Sequence, residues 1–225
     1  MKKQLAPSLM CVDFLNFKTQ LDIMEEKKID LLHIDVMDGS FVPNMALGSD
    51  FVKQLRAAST IPLDIHLMTV KPMECLDYFS VQEGDWVSFH MEAVEDPAPI
   101  LREIRRRGAK AMLAINPVTS PETIRPFLKD LDAVLVMTVT PGFAGQKIME
   151  GAREKVAAVR RMLDEAGRTD VTIEVDGNIT LPNAVMLSEV GADIFVLGTS
   201  GIFRGDMAEN MQRLHCHLRL CLLGS

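Results

Sequence analysis

The segment PILREIRRRGAKAMLAIN, residues 99–116, decides the fold. Its first half has helical periodicity and closes on Arg105–Arg107, three cations whose charge complements the negative end of a helix dipole. Gly108 then suits the position just past a helix, where a left-handed backbone costs glycine little. KAMLAIN, from Lys110, is a short apolar run of strand length. The same order of helix, glycine turn and buried strand recurs around Gly84 in QEGDWVSF and Gly191 in EVGADIFV. Working outward, eight such runs appear: LAPSLM from Leu5, LLHIDVM from Leu31, PLDIHLM from Pro62, WVSFHM from Trp86, KAMLAIN, AVLVMTV from Ala133, VTIEVD from Val171 and DIFVLG from Asp193. Helical stretches separate them, among them LNFKTQLDIMEEK, which places Leu15, Leu21 and Met24 near one stripe. Strands alternating with helices imply a parallel sheet, and eight units in one chain imply closure into a (β/α)8 TIM barrel of the α/β class. The competing open doubly wound sheet calls for a GxGxxG turn after the first strand, and the sequence has none there. No linker or composition shift divides the chain, so residues 1–225 are expected to form one barrel domain.

The bulk numbers fit that reading. The chain has 225 residues, 48% of them apolar, enough for one large core. Its net charge of −7 argues against a nucleic-acid partner, which demands a basic face, yet leaves room for a small anion held by backbone amides. No apolar run is long enough to span a membrane. MKKQLAPSLM lacks the apolar stretch of a signal peptide. Cys11, Cys75, Cys216 and Cys221 form no CxxC pair or disulfide framework, as expected of reduced thiols in a cytoplasmic protein. HLRLCLLGS reads as the end of a terminal helix and says little.

In such barrels the reactive side chains stand where strands end and loops begin. The second run, continuing as HIDVMDGSFVPN (33–44), places His33, Asp35 and Met37 on one face, because side chains alternate along a strand; Asp38 follows at its end. The third ends on His66 in DIHLM and the seventh on Asp176 in IEVDGN. Each has an ordinary reading alone: a hydrogen-bonded core histidine, a carboxylate accepting amides, a turn former. Together, two histidines and two aspartates at one barrel end form a plausible site for one divalent ion. Zinc is the first choice, with iron, manganese or cobalt also suited to imidazole and carboxylate donors. Three glycine-bearing strand ends follow: TVTPGFAGQ (138–146), DGN (176–178) and GTSG (198–201). Gly142 and Gly145 let backbone approach a ligand, and phosphate commonly sits at the last loops of these barrels, so a phosphorylated substrate is expected. Met37, Met68 and Met137 end strands nearby and can form a dry wall over a reacting carbon. His90 is expected to line the interior without a role, and His215 and His217 to be exposed on a helix.

These motifs resemble the ribulose-phosphate 3-epimerases. HIDVMDGSFVPN, DIHLM, VMTVTPGFAGQ and EVDG occur in that order, and the likeness runs from APSLM to GTSGIF. The resemblance implies a metal-dependent barrel that inverts carbon 3 of a ketose phosphate. It implies that His33, Asp35, His66 and Asp176 hold the metal, that Asp35 and Asp176 are the acid/base pair, and that Ser8 and His66 contact substrate. Phosphate and substrate contacts would fall to Gly142, Phe143, Ala144, Gly145, Gly177, Asn178, Gly198, Thr199 and Ser200, with Met37, Met68 and Met137 lining the site. A homo-oligomer, dimer or hexamer, is expected on the same ground. Where the common pattern reads PGFGGQ and DGG, this chain has Ala144 and Asn178, and Lys147-Ile148 replaces a pair that usually contains phenylalanine. The TVTPGFAGQ and GTSGIF wording looks more like the branch acting on D-allulose 6-phosphate, making that the favoured substrate and D-ribulose 5-phosphate the alternative. A silent sugar-phosphate-binding protein is the remote alternative; it need not keep both aspartates.

Overall fold

The computed structural model describes residues 2–220, the side chains of 219 and 220 excepted. Eight strands carry the eight apolar runs: β1 (Gln4–Pro7), β2 (Leu32–Asp38), β4 (Leu63–Met68), β5 (Trp86–His90), β6 (Lys110–Ile115), β7 (Ala133–Met137), β8 (Thr172–Asp176) and β9 (Ile194–Leu197), with a two-residue strand, β3 (Met45–Ala46), folded back antiparallel on the end of β2. The barrel strands pair in parallel in the order β1-β9-β8-β7-β6-β5-β4-β2. A bridge between Ser8 and His33 joins β2 back to β1, and Leu31 N–H donates to the Leu5 carbonyl at 3.3 Å, closing the barrel.

Each barrel strand is followed by a helical crossover: α1 (Phe17–Glu26), α2 (Ser49–Ala58), α3 (Pro72–Tyr78), α4 (Ala98–Arg106), a 3-10 helix (Pro121–Asp130), α5 (Ala152–Glu165), α6 (Leu181–Ser188) and α7 (Met207–Leu220). The 3-10 segment has Pro126 within it, which removes one backbone donor and blocks a regular α-helix. Gly84, Gly108 and Gly191 adopt φ of 90°, 81° and 108° before their strands, as the repeated turn requires.

Strand alternation separates two apolar layers. Outward residues such as Ile34, Ile65, Val87, Leu113, Val134, Ile173 and Phe195 pack under the helices. Inward residues Ala6, Leu31, Trp86, Met112, Ala114, Leu135, Ile194 and Val196 fill the barrel. Burying each such large side chain stabilises the fold by about 1.5–3 kcal/mol relative to exposing it. The upper layers of the same inward face are polar, and they carry the site.

Some local expectations change. Leu15 stands 95% exposed in a 3-10 turn before α1, while Leu21 and Met24 are buried, so the apolar stripe begins only inside the helix. LAPSLM is a strand only to Pro7; Leu9–Cys11 forms a 3-10 turn. His217 is exposed, but His215 is half-buried on α7. Among the described residues Cys11, Cys75 and Cys216 are free; Cys221 and the rest of the chain's last five residues lie outside them. No described helix is long and apolar enough to cross a membrane.

Candidate active site

Register stacks the polar residues. His33 on β2 pairs with Asp64 on β4, Asp35 with His66, and Met37 with Met68, giving three inward layers one above another. On the far side Leu135 pairs with Glu174 and Met137 with Asp176. The middle of this stack brings His33, Asp35, His66 and Asp176 together: one ligand-capable atom from each lies within 4.8 Å of all the others. His33 Nε2 is 3.5 Å from Asp35 Oδ1, and His66 Nδ1 is 3.9 Å from Asp35 Oδ1 and 4.0 Å from Asp176 Oδ2.

Two features show that this donor set fits a cation. His33 Nε2 and His66 Nδ1 are fully buried and have no hydrogen-bond partner, although such orphans are costly. Both face carboxylates at 3.5–4.0 Å without making a hydrogen bond, a gap that a shared cation would fill. The cluster, two imidazoles and two carboxylates, can therefore hold one divalent cation.

The outer nitrogen of each imidazole is anchored. His33 Nδ1 meets Asp64 Oδ2 at 2.5 Å and Glu174 Oε1 at 3.4 Å; His66 Nε2 meets His90 Nε2 at 2.9 Å. Asp64 and Glu174 are entirely buried. Desolvation, reinforced by the Asp64 charge, pushes the Glu174 carboxyl well above the usual carboxylate range. Burial pulls His33 down, but Asp64 and Asp35 outweigh it and hold the imidazole well above its ordinary value. His66 is driven the other way by burial, then by His90 and His33. Burial pushes Asp176 up to about 7, with Asp35 and Asp64 adding to the rise against the pull of His33.

Above the cluster lies an open cavity. Ser8, Asp35, Asp176 and the three methionines line it, as do Gly142, Phe143, Ala144, Gly145, Gly177, Asn178, Gly198, Thr199 and Ser200. Every residue the sequence singled out for substrate, apart from His66 beneath it, reaches this one space. Met37, Met68 and Met137 are each no more than 4% exposed. Ser8 does more than border the cavity: its hydroxyl donates to Asp35 Oδ2 at 2.6 Å and fixes that carboxylate. Asp38 does not join the site; it is exposed and holds the following turn through Ser40 and Thr69. Lys147 is exposed while Ile148 packs against the core.

Gly177 is required by both conformation and space. Its φ is 118°, and a Cβ there would fall 2.6 Å from Val139 Cγ2 and 2.8 Å from Thr138 Oγ1. Asn178 follows at φ 51°, a left-handed conformation that asparagine tolerates better than most residues. Gly177→Ala should therefore cost about 2 kcal/mol or more of stability. Urea unfolding measures this; an unchanged midpoint would refute the close packing of the loop.

Sequence reasoning missed Asp64 and Glu174 and gave His90 no role. A signal was present: Asp64 precedes His66 by two, and Glu174 precedes Asp176 by two, so each shares the inward face one layer below a candidate ligand.

A sequence model of the ribulose-phosphate 3 epimerase family matches residues 4–203. The chain belongs to this family. As a ribulose-phosphate 3 epimerase family member it is an isomerase, a carbohydrate-phosphate 3-epimerase. It is 38% identical to a ribulose-phosphate 3-epimerase of Bacillus subtilis over 88% of this chain and 91% of that one. It is 37% identical to a ribulose-phosphate 3-epimerase of Methanocaldococcus jannaschii over 90% of this chain and 85% of that one. The barrel also superposes on orotidine 5'-phosphate decarboxylase from Pyrococcus horikoshii with a TM-score of 0.68 at 12% identity, covering 96% and 99% of the two chains, a likeness of fold alone.

Proposed function

We propose that the protein interconverts D-ribulose 5-phosphate and D-xylulose 5-phosphate by inverting carbon 3, with Asp35 and Asp176 as the acid/base pair. The observation that carries this reading is the meeting of two carboxylates and two unpartnered imidazole nitrogens at the floor of one cavity. Inversion beside a carbonyl removes a weakly acidic proton from one face and returns one to the other, and a single base reaches both faces poorly. Asp35 and Asp176 come from β2 and β8, which β1 and β9 separate in the ring, so the two carboxylates approach the cavity floor from strands three apart. One carboxylate takes the C3 proton while the other, protonated, delivers its own, and the roles exchange with the direction of reaction. Ser8 keeps Asp35 aimed by its hydroxyl bond. The buried methionines exclude water, so the enediolate is protonated only by these two groups.

His33, Asp35, His66 and Asp176 would hold the divalent cation, zinc by preference for this donor set. When bound, it supplies Lewis acidity that stabilises negative charge on the enediolate oxygens. The glycine loops at 142–145, 177–178 and 198–200 offer backbone amides to the phosphate. A cytoplasmic homo-oligomer is the setting proposed for the enzyme, in line with its free cysteines.

The substrate follows the curated relatives, which act on ribulose phosphate and share more than a third of the sequence along most of the chain. This displaces D-allulose 6-phosphate, toward which the TVTPGFAGQ and GTSGIF wording points. One preparation offered both ketose phosphates should show kcat/KM at least about tenfold higher for D-ribulose 5-phosphate, a difference of about 1.4 kcal/mol in transition-state binding. The reverse ratio would restore the allulose reading.

A further inference from the structure

The histidine left without a role in the sequence reading stands at the end of β5, inside the barrel and entirely buried. His90 Nε2 faces His66 Nε2 at 2.9 Å, and His90 Nδ1 faces Glu92 Oε2 at 3.3 Å. The Phe41 ring covers His90 at 4.5 Å between centroids. Glu92 is itself held: its Oε1 accepts from the Asn116 N–H at 2.8 Å and from the Thr119 hydroxyl. The loop that supplies these donors is fixed by Lys155, whose ammonium donates to the carbonyls of Asn116, Pro117 and Thr119.

The chemistry of this row allows one direction. Two neutral imidazole nitrogens at hydrogen-bond distance must be one N–H and one lone pair. An ionised Glu92 only accepts, so His90 donates from Nδ1 and keeps its lone pair on Nε2. His66 must then donate from Nε2, which leaves the lone pair on Nδ1. That is the unpartnered atom facing Asp35 and Asp176 at 3.9 and 4.0 Å. A carboxylate at the barrel rim thus decides, through one intervening imidazole, which nitrogen of His66 can serve as a ligand. Asp64 does the same for His33 by direct contact.

We propose that His90 and Glu92 are positioning residues that fix the tautomer and ring orientation of His66 for divalent-cation binding. The proposal rests on the reading of His66 as a metal ligand. It also ties the loop after β6 to the site, because the two donors that hold Glu92 come from that loop.

Glu92→Gln is the sharpest test, since it is isosteric and the Glu92 side chain is 24% exposed at the rim. The Asn116 N–H and Thr119 hydroxyl keep the amide oxygen, so the amide NH2 turns to His90 Nδ1 and donates. His90 is then protonated on Nε2 and opposes the Nε2–H of His66. The affinity for Co²⁺, measured by competition with a chelating dye, should fall about 10- to 100-fold. Nitrogen-15 spectra of the cation-free protein should move the His66 proton from Nε2 to Nδ1. His90→Phe, which removes the acceptor while filling the space, should weaken Co²⁺ binding to a similar extent. His66→Ala separates the two levels of the argument. If His66→Ala weakens binding while Glu92→Gln and His90→Phe bind as the parent does, the positioning role is wrong and the metal site stands. If His66→Ala binds as the parent does, or the parent binds no Co²⁺, the metal reading falls and takes the proposal with it.

Discussion

Asp176→Asn should abolish epimerisation while leaving sugar-phosphate binding in place. An amide retains the size of the carboxylate and an oxygen that can face the cluster, but it cannot take or deliver the C3 proton. General acid/base groups contribute roughly 10²–10⁴ in rate, and losing one of a pair that must both act should cost kcat on the order of 10³-fold. Calorimetry should show the ketose phosphate still bound, because the glycine loops around the cavity are untouched. Asp35→Asn should give a matching loss. A sharper consequence follows from two faces served by two groups. In deuterated water each variant should still exchange the C3 proton of one epimer and fail with the other, and the two variants should fail with opposite epimers. An Asp176→Asn enzyme with unimpaired turnover, or both variants exchanging the same epimer, would end the two-carboxylate scheme.

The barrel was legible because its signal is repetitive and local. Glycine before a strand occurs where the chain leaves a helix, and Gly84, Gly108 and Gly191 all adopt the left-handed turn that spacing implied. Alternation along a strand then fixes which residues face inward, so the sequence alone places His33, Asp35 and Met37 together. What alternation does not give is register between strands. That His33 stands opposite Asp64, and Asp35 opposite His66, depends on how β2 and β4 slide against each other, a pairing set by packing over the whole ring. The anchoring carboxylates were therefore missed although their spacing was visible. Ser8 shows the same limit: the family resemblance implies a substrate contact there, but not that its hydroxyl belongs to Asp35. That β2 and β8 stand three strands apart, across β1 and β9, likewise depends on the closure of the ring, which strand order along the chain does not show. Leu15 was misplaced because a helical period says nothing about where the first turn begins.

Chelation should stop turnover and lower the melting temperature, and restoring zinc or cobalt should return both. A cation present at a thousand times its dissociation constant stabilises the native state by about 4 kcal/mol. In a chain of this size each kcal/mol moves Tm by about 2–4 °C, so its removal should lower Tm by roughly 10 °C. The pH dependence carries more information than the shift. Without a cation, burial and neighbouring charge hold Asp176 up to about 7, well above its usual 3.8, so the folded chain keeps a proton that the unfolded chain has released. The stability associated with that proton is whole below pH 3.8 and is lost as pH rises through about 7. The chelated protein should accordingly weaken across this window. With a cation bound, the charge that burial opposes is offset, so the loaded protein should decline less than the chelated one between pH 3.8 and about 7. Thermal melts of both forms from pH 4 to 8 measure this directly. A gap between them that does not widen as pH rises would mean that Asp176 and the cation do not share one site.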